Sequence, residues 1–372
     1  MFSEFDHRMM RRALELAALG KYSTHPNPRV GCVIVQGERI VGEGWHRKWG
    51  EPHAEPLALS AAGEAAQGAT VYVTLEPHSY MGRTPPCTEA LIRAGVKRVI
   101  CGELDPNPRV SGQGVEQLRA AGIDVQVGLL AEEAHELNLG FDKRMRTSTP
   151  RAIVKIAASL DGRIALANGA SRWITSEAAR ADVHRLRAEC SAVLTGIDTV
   201  IADDPQLTVR DVSIDMAGRV PLRVVVDSKL RMPVNARMLR EPGETLVFTA
   251  TGEQARIDAL QAAGAKVVRV ACGDDVRVDL RAVLRELGAR QCNDVLVEAG
   301  PTLCGRLVKE GLVDELVVYF APKVLGADSK PMLQLTGIEA IDRAPQFVLH
   351  EMSRIGDDMK LIYRPATARA ES

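Results

Sequence analysis

Apolar positions along the chain follow two rhythms. Near the N-terminus, Met9, Met10, Ala13, Leu14, Ala17 and Ala18 recur at helical spacing, which predicts a helix over about residues 6–19. A polar turn, GKYSTHPNPR, leads into two strand-like runs, VGCVIVQ (30–36) and RIVGEGWH (39–46), joined by a short glycine-containing turn as in a hairpin. The pattern then alternates. A helix from about Ala54 to Ala62 precedes a strand ATVYVTL (69–75), a helix CTEALIRAG (87–95) and a strand KRVICGE (97–103). A further helix, around GVEQLRAAG (114–122), precedes the strand IDVQVGL (123–129). Such alternation predicts an α/β layer structure with helices covering a sheet.

The second half is written in short apolar runs, many bounded by Gly, Pro or Asp. These are AIVKIAASL (152–160), SAVLTG (191–196), PLRVVVD (221–227), TLVFTA (245–250), AKVVRVA (265–271), DVLVEAG (294–300) and DELVVYFAP (314–322). They suit the buried strands of a second α/β sheet. Composition shifts at RTSTPR (146–151), a polar link containing proline. Domains are therefore expected at 1–146 and 152–372, with 147–151 as linker. There is no internal repeat or low-complexity tract, and the tail PATARAES is expected to fray.

Bulk numbers narrow the class. At 372 residues the chain is long for one hydrophobic core, and 46% hydrophobic with 26% charged residues is ordinary globular composition. Lys plus Arg (47) nearly balance Asp plus Glu (48), so a nucleic-acid partner is not expected. The seven cysteines are an odd number without paired spacing, which reads as reduced thiols. The first twenty residues lack a signal-peptide core, and no apolar run approaches the ~20 residues that span a bilayer. A soluble, cytoplasmic protein with no membrane partner is expected.

Candidate chemistry sits on two strand–helix units of the first half. EPHAEPLAL offers His53 and Glu55, and VTLEPHSYMGRTPPCTEAL offers His78 and Cys87. Zinc held by three protein ligands keeps one position for water and lowers its pKa towards neutrality. A glutamate two residues from a ligand can stay off the metal and carry protons, as in zinc deaminases. Pro52 and the Pro85–Pro86 pair suit helix starts, so His53 and Cys87 are expected at positive helix ends, which favour a thiolate. Taken singly, each residue has a bland reading: Cys87 as a small buried hydrophobe, His53 as a helix cap.

Together these stretches resemble the deaminase half of the bifunctional riboflavin-biosynthesis family, a diaminohydroxyphosphoribosylaminopyrimidine deaminase fused to an aminouracil reductase. The family pattern reads His-Ala-Glu, then Thr-Leu-Glu-Pro-Cys-Ser, then Gly-Arg/Lys-Thr-Pro-Pro-Cys. THPNPRVGCVIV and DPNPRVSGQG also match, and the likeness covers most of 1–146. It implies a cytidine-deaminase-like three-layer domain with His53 and Cys87 as zinc ligands, Glu55 as proton shuttle and Asn27 against the substrate. One position departs from it: His78 stands where the family has cysteine, at the same nine-residue interval from Cys87. Imidazole is a sound zinc ligand, but its nearer nitrogen lies one bond further out than a thiol sulfur, so the turn has to step back or rotate. His78 is expected to bind the metal.

In the second half, DVLVEAGPTLCGRL reads as a strand, a glycine turn and a helix start, a usual place for phosphate, though it lacks the full G-x-G-x-x-G. Arg187 and Arg210 are able to hold a phosphate bidentately. Here KIAASLDGRIA, SRWITS, GIDTVIADDPQLTVR, VVVDSKL and VEAGPTLCGRLVKEGLVDEL resemble the reductase half of the same family, a dihydrofolate-reductase-like fold. The resemblance implies NADPH at Ala157, Trp173, Thr199, Asp203, Ser228 and the turn Gly300, Pro301, Thr302, Leu303, Cys304, Gly305 and Arg306. It implies substrate at Ser171, Arg187, Leu207, Arg210 and Glu298, with the arginines on its phosphate, and it leaves Lys155 and Asp161 as matching positions without a role. The family also suggests a homodimer or larger assembly.

The expected function is hydrolytic deamination of a diaminopyrimidine ribosylamino phosphate, then NADPH reduction of its ribosyl group to ribityl. Three rivals have distinct signatures. A nucleic-acid deaminase would show steep salt dependence on RNA. A reductase with a degenerate first domain would release no ammonia. A pure binding protein would oxidise no NADPH.

Overall fold

A computed structural model of the chain describes residues 2–82, 84–270 and 277–366. Residues 367–372 of the tail, and Arg83 within the GRTPPC motif, lie outside them. The chain divides into two compact units, residues 1–148 with 215–219, and 149–214 with 220–372.

The first unit opens with α1 (Glu4–Ala18), whose start is closed by a capping box between Ser3 and Asp6. The Asp6 carboxylate also accepts from Tyr72 Oη at 2.8 Å and pairs with Arg98 at 3.0 Å, tying the helix to the sheet. There follow β1 (Gly31–Gln36), β2 (Arg39–Trp45), α2 (Ala54–Ala62), β3 (Thr70–Leu75), α3 (Cys87–Arg93), β4 (Arg98–Glu103), α4 (Gln113–Ala120) and β5 (Asp124–Val127). Two helices end the unit, α5 (Ala131–Leu137) and α6 (Leu139–Thr147). The sheet order is β2-β1-β3-β4-β5, antiparallel across β2-β1-β3 and parallel from β3 to β5. β1 is buried on both faces. Cys32 and Ile34 join the core beneath α2, while Val33 and Val35 join the core beneath α1, as period-two side-chain alternation requires.

Two glycines bring α2 down onto the sheet. A Cβ at Gly42 would lie 2.2 Å from the carbonyl oxygen of Ala58, and one at Gly44 would lie 2.4 Å from that of Ala54. This close approach fixes the start of α2, where His53 is the N-cap and Glu55 lies in the first turn.

The second unit begins with β6 (Arg151–Ser159), β7 (Arg163–Ala165), α7 (Glu177–Glu189), β8 (Ala192–Gly196) and α8 (Ile197–Asp203). It continues with β9 (Leu222–Val226), β10 (Thr245–Thr249), α9 (Gln254–Ala262), β11 (Ala265–Arg269), α10 (Leu280–Ala289), β12 (Asp294–Val297) and α11 (Pro301–Lys309). The last strands are β13 (Glu315–Ala321), β14 (Lys330–Pro331), β15 (Phe347–Ile355) and β16 (Asp358–Pro365). A nine-stranded sheet runs β11-β10-β9-β8-β12-β6-β13-β16-β15, parallel as far as β13 and antiparallel for the final hairpin. Its central strands read as near-continuous Val/Ile/Leu runs because helices cover both faces.

Candidate active sites

In the first unit, α2 and α3 both point their N-termini at the turn that follows β3, and three donors meet there. The ligand-capable atoms of His53, His78 and Cys87 lie within 4.8 Å of one another. Cys87 Sγ is 3.1 Å from Nδ1 of His78 and 3.5 Å from Nδ1 of His53. Nδ1 of His78 thus faces the Cys87 sulfur, while its Nε2 is buried with no hydrogen-bond partner among the described residues. The two imidazole rings are 4.6 Å apart between centroids, and Thr84 Oγ1 lies 3.4 Å from Nε2 of His53.

Glu55 is buried beside them, and one of its carboxylate oxygens, Oε2, has no hydrogen-bond partner among the described residues. Burial pushes its carboxyl up to about 7, against the lowering hydrogen bonds from its own backbone and from Cys87. Burial holds His53 down to about 3, helped by the fields of His78 and His46, and burial lowers His78 too, so both rings are neutral as metal ligation requires. Burial, reinforced by Glu55, raises the Cys87 thiol well above its ordinary value. Two neutral imidazoles, a thiol and a carboxyl are crowded without a cation. A divalent ion is the charge that suits this donor set, and soft sulfur with imidazole nitrogen suits zinc.

Two residues without a role in the sequence motifs hold this geometry. His46 is buried with both ring nitrogens engaged, Nδ1 at 3.2 Å from the Pro52 carbonyl and Nε2 at 3.1 Å from Asn27 Nδ2. The carbonyl can only accept, so Nδ1 carries the proton and Nε2 accepts from the Asn27 amide, which leaves the amide oxygen of Asn27 for other partners. Glu76, also buried, accepts the backbone N–H groups of Asp105 (3.2 Å), Gly112 (2.9 Å) and Val115 (3.1 Å). The segment 105–115 is thereby docked on the turn carrying His78. A Cβ at Gly114 would stand 2.1 Å from the Pro77 carbonyl oxygen. The sequence signal for Glu76 is a charged residue closing an otherwise apolar strand, and for His46 a histidine at the end of β2.

In the second unit a cavity of about 500 Å³ opens at the ends of β8 and β9 and against the first turns of α11. That size falls in the roughly 300–1,000 Å³ range of small-molecule and cofactor sites. Four of the residues matched to NADPH line it: Ser228, Thr302, Leu303 and Arg306. Gly300 caps α11, and a Cβ there would lie 3.8 Å from Thr199 Oγ1, which brings the α8 and α11 positions together. Cys304 and Gly305 point into the core, where the backbone of Gln334 leaves room only for glycine at 305. Asp203 ends α8, and Ala157 is half-buried on β6. Trp173 is 62% exposed with the Arg180 guanidinium 4.3 Å above its ring, so its indole is no part of the core.

The substrate-matched residues form a charged group. Glu298, just past β12, receives Arg187 through two guanidinium nitrogens at 2.5 and 3.1 Å and has Lys155 at 3.5 Å. Burial opposes its ionisation, but Arg187 and Lys155 win and hold the carboxyl down at about 2. Arg187 also donates to the Thr208 carbonyl, beside Leu207, whose side chain is buried and whose backbone has a positive φ of 54°. The Leu207 side chain is thus committed to the hydrophobic core. Arg210 is lowered by burial and by the fields of Arg187 and Arg237, an excess of positive charge that an anion would relieve. Ser171 is half-buried and outside this group of contacts. Asp161 accepts from Ser159 Oγ and from the backbone N–H groups of Leu325 and Gly326, so it clamps the loop after β13.

A His/Cys cluster over a buried glutamate on one sheet, and a cofactor cavity on another, define a two-domain enzyme that couples a zinc deaminase to a reductase. Residues 3–103 match the cytidine and deoxycytidylate deaminase zinc-binding region, and residues 150–361 match the RibD C-terminal domain. The riboflavin biosynthesis protein RibD of Escherichia coli is 50% identical over 96% of this chain and 98% of its own. The solved RibD of Acinetobacter baumannii superposes with a TM-score of 0.91 at 44% identity, covering 98% of this chain and 99% of that one. A Thermotoga maritima structure described as a diaminohydroxyphosphoribosylaminopyrimidine deaminase/5-amino-6-(5-phosphoribosylamino)uracil reductase gives a TM-score of 0.85 at 34% identity, covering 97% of this chain and 99% of that one. The chain belongs to the RibD family, with a cytidine-deaminase-like N-terminal domain and a dihydrofolate-reductase-like C-terminal domain.

Proposed function

We propose that the first domain removes a ring amine from 2,5-diamino-6-ribosylamino-4(3H)-pyrimidinone 5′-phosphate by hydrolysis, using His53, His78 and Cys87 as the metal ligands. The second domain reduces the ribosyl group of the product to ribityl with NADPH. The observation that carries the reading is the convergence of His53, His78 and Cys87 over the unpartnered oxygen of buried Glu55. It also weighs against a degenerate first domain, because the histidine that departs from the family motif brings its Nδ1 into the donor cluster.

Zinc held there supplies Lewis acidity that makes water nucleophilic near neutral pH. Glu55 takes the proton of the attacking water at its free oxygen and returns it to the departing ammonia, and burial places its pKa where both transfers are feasible. Asn27, oriented by His46, presents its amide oxygen to the pyrimidine. In the second domain the nicotinamide supplies a hydride. Glu298 fixes Arg187 and Lys155 as one rigid group on which the sugar is positioned, and Arg210 takes the phosphate. Gly300 to Leu303, Arg306, Thr199, Asp203 and Ser228 hold the cofactor, and Trp173 and Ala157 lie against it. Asp161 keeps the 325–326 loop in place.

We also assign the enzyme to the cytoplasm and to an assembly of identical chains. The six described cysteines are buried and none is in a disulfide, and no described helix is long and apolar enough to cross a membrane. β15 is an edge strand with Val348, Leu349 and Met352 exposed, a face that a second copy would cover. Sedimentation of the intact chain tests the assembly. The two reactions are tested apart: ammonia release from the diaminopyrimidine without NADPH, and NADPH oxidation with the deaminated product. Failure of either removes that half of the assignment.

A further inference from the structure

The cofactor cavity carries a specificity reading that rests on its assignment to NADPH. NADPH differs from NADH by one phosphate on the 2′ oxygen of the adenosine ribose, so discrimination needs positive charge where that group lies. Lys229, Arg231, Arg277 and Arg306 all line the cavity. Arg306 is committed to Glu310 at 3.0 Å and to the Val278 carbonyl at 3.3 Å. Arg231 is committed to Asp198 at 2.6 Å. Lys229 makes no hydrogen bond or ion pair with any described residue, and its side chain is exposed at the cavity.

The turn that carries Lys229 is rigid. Ser228 Oγ accepts the Val278 N–H at 3.0 Å, and the Ser228 carbonyl accepts from Ala250 and Thr249. On the other side, buried Leu230 donates to the Asp227 carbonyl, while its own carbonyl accepts Arg256 at 2.7 Å. An uncommitted ammonium on a fixed turn loses little backbone entropy on meeting an anion. Two acidic residues line the cavity among the described residues: Asp227, which is buried and accepts the Met232 N–H at 2.7 Å, and Asp198, whose carboxylate suits a ribose hydroxyl better than a phosphate. Arg231 neutralises that carboxylate.

We propose that Lys229 recognises the 2′-phosphate of NADPH, and that Arg231 supports it by neutralising Asp198. The cavity thus selects a 2′-phosphorylated adenosine over a plain one.

The test is calorimetric binding of adenosine 2′,5′-bisphosphate and of 5′-AMP to the full chain and to Lys229→Ala and Arg231→Ala. The wild-type chain should prefer the bisphosphate. Lys229→Ala should weaken bisphosphate binding about tenfold, the size of one charge-assisted contact, and leave 5′-AMP unchanged. Arg231→Ala should act in the same direction. An unchanged melting temperature shows that each variant is folded, and the ratio of KM for NADPH to KM for NADH should rise. Equal weakening of both nucleotides, or no weakening, overturns the role of Lys229. A wild-type chain that binds neither the bisphosphate nor NADPH overturns the cofactor assignment itself, and with it this inference.

Discussion

Nδ1 of His78 stands 3.1 Å from Sγ of Cys87, nine positions along the chain, the interval at which the family motif has a second cysteine. After the turn between β3 and α3, the Thr88 N–H bonds back to the His78 carbonyl at 3.3 Å. His78→Ala should lower zinc affinity by more than the roughly 10–100-fold typical of losing an outer-shell partner. His78→Cys should keep the metal. Competition with a chromophoric chelator measures both, and wild-type zinc affinity in the alanine variant would remove His78 from the ligand set.

Glu55 keeps one oxygen free in a buried site. Glu55→Gln preserves shape and removes the proton carrier, so ammonia release should fall by about 10²–10⁴. Zinc content and NADPH oxidation with the deaminated product should not change. A drop in all three together would mean that the substitution has damaged the fold.

Glu76 supports the metal turn from behind. Glu76→Ala would leave the N–H groups of Asp105, Gly112 and Val115 without their acceptor, at about 1–3 kcal/mol for each one left buried and unpaired. The variant should unfold its first domain at lower denaturant and lose zinc faster to chelator while NADPH oxidation persists. Gly114→Ala should act similarly, because a Cβ there meets the Pro77 carbonyl.

Glu298 gives a pH dependence with a definite sign. Its carboxyl is held at about 2 in the folded chain, below its ordinary value near 4.3, because Arg187 and Lys155 outweigh the cost of burial. A depressed carboxylate stabilises the fold fully above its unfolded pKa, and that stabilisation is lost as pH falls through the folded one. Compared with Glu298→Gln, the wild type should therefore lose stability over the window from about pH 4.5 down to about pH 2. Parallel denaturant curves for the two proteins across that window check the sign.

The structure and the one-dimensional pattern agree where side chains alternate cleanly. α2 spans Ala54–Ala62 as predicted, and β1 to β13 (β7 aside) fall within a few residues of the apolar runs. The pattern misses α5 and α6, whose sequences AEEAHEL and LGFDKRMRT carry few apolar residues in step, and it does not read the helices α7 to α10 that lie between the strand runs of the second half. It also misses the hairpin β15–β16, because β15 is exposed along most of its length and shows no buried face to read. His53, Glu55, His78 and Cys87 are legible because each lies in a short motif. Glu76 and Lys229 also lie in such stretches, VTLEPHS and VVVDSKL, but their roles, like that of His46, depend on partners or a cavity brought together by the fold. The Arg187–Glu298 pair, 111 positions apart, shows the same limit.

Ammonia release without NADPH, measured on enzyme whose zinc content is known, tests most directly whether His53, His78 and Cys87 form a working metal site. Turnover should rise in proportion to zinc, up to one ion per chain. Stoichiometric zinc with no ammonia would contradict the account.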